Sequence, residues 1–83
     1  MARTIAVPVN NRFLSQIFEN AQREAQRFGI IFAGDEYHGR FTNNRDLEGN
    51  YQVIGGEVVI TVTKKPLLTP WSAVDKRIRE FLL

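Results

Sequence analysis

The hydrophobic pattern changes period several times along the chain, and each change marks an element. From Thr4 to Val9 the apolar positions alternate, with Ile5, Val7 and Val9 on one face of an extended segment. Pro8 has no amide proton to donate to a ladder, so this strand should lie at an edge or end there. From Arg12 to Phe28 the spacing becomes helical. Phe13, Leu14, Ile17, Phe18, Ala21, Ala25 and Phe28 trace one stripe, and charged or amide side chains cover the rest. Asn10 and Asn11 are suitable N-caps, and Gly29 stands where a left-handed C′ residue is wanted.

Alternation then returns. Ile30–Ala33 and Glu36–Thr42 read as two strands joined by a two-residue turn at Gly34-Asp35. In that register Ile30, Phe32, Tyr37, Gly39 and Phe41 share the core face. Ile31, Ala33, Glu36, His38 and Arg40 share the other. Asn43–Glu48 is a polar loop. Tyr51–Ile54 and Glu57–Thr63 form a hairpin over Gly55-Gly56, a pair able to supply the two positive φ angles of a type I′ turn. This pairing sets Tyr51 opposite Ile60 and Val53 opposite Val58, with Val62 on the same buried face.

The last segment opens at Thr69-Pro70, an N-cap followed by proline at the first helical position, or at Ser72 with Asp75 three residues on. Trp71, Val74, Ile78, Phe81 and Leu82 form its apolar stripe. The predicted order is β-α-β-β-β-β-α. It defines one α+β domain over residues 1–83, an antiparallel β-meander with two amphipathic helices packed on one face. The pattern leaves the neighbour of the first strand open.

Composition narrows the function classes. A chain of 83 residues holds one thin core, burying roughly 60–65% of its unfolded surface, and little room remains for a large enclosed site. Eleven basic residues against nine acidic give a net charge of +2, a small surplus on a balanced surface that argues against a nucleic-acid footprint. With no cysteine, disulfides and thiolate metal sites are excluded, and a cytoplasmic setting is compatible. No apolar run reaches the ~18–20 residues of a transmembrane segment, and no signal-peptide core follows the first residues.

Candidate chemistry is sparse. His38 is the only histidine, and on a strand it would share a face with Glu36 at about 7 Å. That pair is the sole candidate for a metal or acid–base site, but a metal needs three or four ligands and the usual spacings are missing. Ser15 and Ser72 lack a nucleophile motif, and Gly55-Gly56 turns between strands instead of cradling phosphate. No catalytic residue and no cofactor is assigned. Lys64, Lys65, Lys76, Arg77 and Arg79 cluster late in an αβββα stretch, the layout of double-stranded-RNA-binding domains. Yet the last helix starts on Thr69-Pro70-Trp71-Ser72-Ala73, without lysine, and Val58–Val62 offers no exposed aromatic for stacking. RNA binding and a Glu36–His38 site therefore stand as alternatives to the main reading. That reading rests on the second sheet face, where Ile31, Ala33, Ile54 and Val59 lie beside His38 and other polar residues. The mixture suits a homodimer interface or a hydrophobic contact with another body.

The long helix ends in Arg27-Phe28-Gly29. Gly34-Asp35 and the strand through Phe41 follow, then the Gly49-x-Tyr51-x-Val53-x-Gly55 hairpin leading into Val58-x-Ile60-x-Val62. Lys65-Pro66-Leu67-Leu68 then precedes a helix with Ile78 and Phe81-Leu82. Across nearly the whole chain this resembles the small polyhydroxyalkanoic acid system proteins of bacteria, although Thr69-Pro70-Trp71 enters the last helix more sharply than that family's pattern. The resemblance implies a cytoplasmic bacterial accessory protein associated with polyester granules or another hydrophobic surface. It carries no catalytic residue with it.

Overall fold

A computed structural model describes residues 2–82. Five antiparallel strands form one sheet: β1 (Arg3–Pro8), β2 (Ile31–Gly34), β3 (His38–Thr42), β4 (Glu48–Ile54) and β5 (Glu57–Lys64). Their order is β1-β5-β4-β3-β2, so β2 to β5 run as a meander and β1 closes onto the outer side of β5. Pro8 accordingly lies on an edge strand, paired with Glu57. The helices are α1 (Leu14–Gln26), preceded by a 3₁₀ turn over Asn11–Phe13, and α2 (Trp71–Leu82). This is the predicted α+β class.

Several local expectations hold for the reasons that suggested them. The Asn10 side chain accepts from the Arg12 amide and caps the 3₁₀ turn that leads into α1. Gly55 and Gly56 take φ of 55° and 80°, and the hairpin they close aligns Tyr51 with Ile60 and Val53 with Val58. The β4 strand starts at Glu48, three residues before the first position predicted, because Thr42 and Lys64 flank it on both sides. Pro70 acts as the N-terminal boundary of α2 and not its first residue. Its carbonyl accepts from the Ala73 and Val74 amides. Asp75 does not cap; it pairs with Arg79 one turn on.

The core face of the sheet is built in transverse rows. One runs Ile5–Ile60–Tyr51–Gly39, another Val62–Gly49–Phe41–Phe32. In each row an aromatic lies over a glycine. A Cβ on Gly39 would come within 2.6 Å of the Tyr51 hydroxyl oxygen, and one on Gly49 would come within 2.9 Å of the Phe41 ring atom Cε2. Both glycines are small because a ring occupies the space above them. Val62, wholly buried, lies under the helical layer with Ile5, Val7, Val58 and Ile60.

The β2–β3 connection departs from the predicted two-residue turn. Gly34 pairs with Gly39 and Ala33 with Arg40, so three residues, Asp35 to Tyr37, separate the strands and β3 starts at His38. The Asp35 carboxylate decides this. Its Oδ1 accepts from the amides of Tyr37 (2.8 Å) and His38 (3.0 Å), an Asx-type arrangement that opens the turn. Tyr37, expected in the core, is exposed as a result.

Candidate functional site

The helices and the sheet enclose an apolar cleft. Helix α1 packs on α2 and β2, and α2 reaches across to β1. The two helices are fastened where Phe28 meets Phe81, with ring centroids 6.0 Å apart, and the Arg77 guanidinium lies 4.9 Å over Phe28. Between these contacts and the sheet a cavity of about 290 Å³ remains. The radius of gyration, 11.8 Å, matches the ~12 Å of a compact chain of this length.

Ile17, Phe18 and Ala21 line the cleft from α1. Ala73, Val74, Ile78 and Phe81 line it from α2, and Phe32, Phe41, Tyr51, Val58 and Ile60 form its floor. Four of these rings form one tilted cluster. Phe32 lies 6.0 Å from Phe18, 5.8 Å from Tyr51 and 6.4 Å from Phe41. Such edge-on arrangements favour aromatic pairs beyond their buried area.

Few polar groups reach this space. The Tyr51 hydroxyl donates to the Asp35 carbonyl at 2.6 Å, and burial, with the Asp35 charge adding to it, pushes the phenol up to about 12. Asp35 moves the other way: the Tyr37 and His38 amides hold its carboxyl below the usual 3.8. Glu36 accepts a short hydrogen bond from the Ser15 hydroxyl and so faces α1. Arg77, on α2, is the cation on the lining, and its contact with Glu80 is long at 3.8 Å.

The predicted Glu36–His38 pairing is corrected by this geometry. The three-residue connection takes Glu36 out of the strand and toward α1, whereas His38 starts β3 in the row His38–Gln52–Val59–Ala6 on the opposite face. The two side chains therefore do not share a face. Among the described residues, no group of three or more His, Asp or Glu side chains is placed to hold a metal.

Ile31, Ile54, Val59 and His38 all lie on the sheet face that the helices leave open. Ile31 and Ile54 are more than half exposed. Val59 lies centrally in the His38 row, while Ile31 starts β2 and Ile54 ends β4, at opposite ends of the sheet. Arg40, Asn50, Gln52, Thr61 and Thr4 lie between them. The expected face exists: Val59 and Ile54 are diagonal neighbours on it across β4 and β5, while Ile31 stands apart on the edge strand β2.

The cleft and the loop after β5 were not singled out from the sequence. The concentration of Phe18, Phe32, Phe41, Tyr51 and Phe81 on inward stripes was a usable signal for the first. For the second, Leu67-Leu68 belongs to neither the strand alternation nor the helical stripe. Among the described residues no helix is long and apolar enough to cross a membrane. No protein-family model, no curated protein and no solved structure matches this chain.

Proposed function

We propose that this protein is a non-enzymatic binding module that takes a small apolar or amphiphilic molecule into the cleft between its helices and its sheet. The observation that carries the reading is the cleft's size and lining together. At about 290 Å³ it has roughly twice the ~150 Å³ of a dry cavity able to take up benzene, and it lies near the lower end of small-molecule pockets. Its walls are aliphatic and aromatic, and its polar groups are already engaged, Tyr51 with Asp35 and Glu36 with Ser15. Arg77 supplies a counter-charge for an anionic head group. A medium-chain carboxylic acid has this combination of tail and head. The polyester-granule setting implied by the family resemblance is of the same chemical kind, since it presents aliphatic acyl material to a protein surface.

The test is titration with decanoate and with an anilinonaphthalene sulfonate probe. At ~0.4 kcal/mol per heavy atom, a ligand of decanoate's size should bind with Kd between about 0.1 and 1 mM. Ala73→Trp, at an exposed position on the rim, should abolish uptake while the circular dichroism spectrum stays unchanged. Absence of saturable binding to the parent protein, or binding indifferent to Ala73→Trp, would refute the reading.

A further inference from the structure

The loop between β5 and α2 carries a surface the cleft does not use. Its Thr69 amide donates to the Pro66 carbonyl at 3.1 Å, closing a turn whose two central residues are Leu67 and Leu68. Their side chains are 94% and 98% exposed, more than any other large hydrophobic residue described. An isolated exposed leucine is ordinary, but two adjacent ones held outward by a hydrogen-bonded turn are not. The turn is fixed at both ends. Lys64 ends β5 just before it, and Pro70, whose carbonyl accepts from the Ala73 and Val74 amides of α2, follows directly after it.

Around this apolar tip the charge is positive. The Arg3 guanidinium, at 5.6 Å, and the Lys65 ammonium, at 5.5 Å, both lie over the Trp71 ring. Lys64 donates to the Arg45 carbonyl at 3.1 Å and draws the β3–β4 loop alongside. Arg3, Arg45, Lys64 and Lys65 thus gather at this end of the sheet, against the carboxylates of Asp46 and Glu48. Asp46 is engaged by the Asn43 amide, and Glu48 faces Lys64 across the β4–β5 ladder.

We propose that this end of the molecule is a docking tip for an anionic lipid surface. Leu67 and Leu68 enter the acyl boundary, Trp71 lies at head-group level, and the four cations meet lipid phosphates. Two apolar side chains alone anchor a protein weakly, and a basic cluster alone binds reversibly. Here the two lie side by side at one end of the molecule, and together they give the two signals stable attachment requires. The charge around the point favours lipid as the occupant: the cations that surround the two leucines complement the phosphates of an anionic bilayer. Pro66 and Thr69 also line the cleft, so docking would bring the cleft mouth toward the lipid. The proposal goes beyond cleft binding and stands without it.

Flotation with phosphatidylcholine vesicles, with and without one quarter phosphatidylglycerol, tests it. The parent protein should float with the anionic vesicles, much less with the neutral ones, and lose most of the binding at high salt. Trp71, the only tryptophan, should shift its emission to the blue on binding. Leu67→Ser with Leu68→Ser should lower partitioning at least ten-fold, and Lys64→Gln with Lys65→Gln several-fold with a flatter salt response. Because both leucines are wholly exposed, the serine variant should fold normally and keep its decanoate affinity, which separates a failure here from a failure of the cleft reading. A parent protein that stays with neither vesicle, equal flotation with both, or a serine variant that floats like the parent overturns the proposal. So does pelleting without lipid through the leucine turn.

Discussion

Tyr51 in the middle of β4 donates its hydroxyl proton to the backbone carbonyl of Asp35, crossing β3 over the bare backbone of Gly39 to reach the β2–β3 turn. The contact ties the centre of the sheet to the turn that aims Glu36 at α1. Tyr51→Phe keeps the ring in the aromatic cluster and removes only the hydrogen bond. The expected loss is about 0.5–1.5 kcal/mol by urea unfolding at pH 7.

The same group predicts an alkaline limit. The Tyr51 phenol titrates near 12 in the fold against 10.0 unfolded. A raised folded value favours the neutral form, so its contribution is complete below pH 10 and disappears as pH climbs through 12. The amount is on the order of 1–2 kcal/mol after allowance for solvent access. Unfolding free energy measured from pH 9 to 12 should fall in the parent and fall less in Tyr51→Phe. Equal slopes would show that the phenol is not shifted.

At the acid end Asp35 has the opposite sign. Its folded pKa lies below 3.8, so the charged carboxylate stabilises the turn above that value and the benefit is lost as pH falls through the folded pKa. Asp35→Ala should lower stability at neutral pH and shallow the acid unfolding limb below pH 4. It should also release protection of the Tyr37 and His38 amides in hydrogen exchange, since these are the donors the carboxylate holds.

That turn also shows where sequence reasoning stops. Gly55-Gly56 is a pair whose only good use between alternating strands is a tight hairpin, so its register and the Tyr51–Ile60 pairing were legible in advance. Gly34-Asp35 looks equally suitable, yet one carboxylate accepting two amides outweighs the tight turn and moves Glu36 away from His38. The choice depends on a side-chain hydrogen bond that periodicity does not report. Pro8 hinted at an edge position for β1, but only the pairing with β5 identifies the neighbour. The helical stripes showed which faces turn inward. They did not show that large rings floor the sheet while Ala21 and Ala73 face them from the helices, leaving a cleft between.

Gly49 gives a packing prediction. A Cβ there would meet the Phe41 ring and the Thr61 carbonyl, the latter part of the backbone and unable to yield. Gly49→Ala should cost about 1–3 kcal/mol, the range for overpacking a filled site. Pairing it with Phe41→Leu, which removes the ring, should restore part of the loss. A double-mutant cycle without coupling would place the clash elsewhere.

The cleft predicts a conflict between stability and binding. An apolar space of about 290 Å³ forgoes contacts its walls could make, so filling it should strengthen the fold. Ala73 is the position to use: its backbone is already helical, it borders the cleft, and its exposure leaves a larger side chain free to choose a rotamer. Ala73→Leu should gain up to about 1 kcal/mol by thermal or urea unfolding, because a leucine entering the cleft leaves water and meets aromatic walls. The same variant should bind decanoate at least several-fold more weakly, since its side chain takes the place of the ligand's tail. Decanoate should raise the Tm of the parent in proportion to its saturation and scarcely move that of Ala73→Leu. A variant that gains stability while keeping full affinity would mean that the leucine and the ligand occupy different spaces, and decanoate would then have to bind outside the cleft.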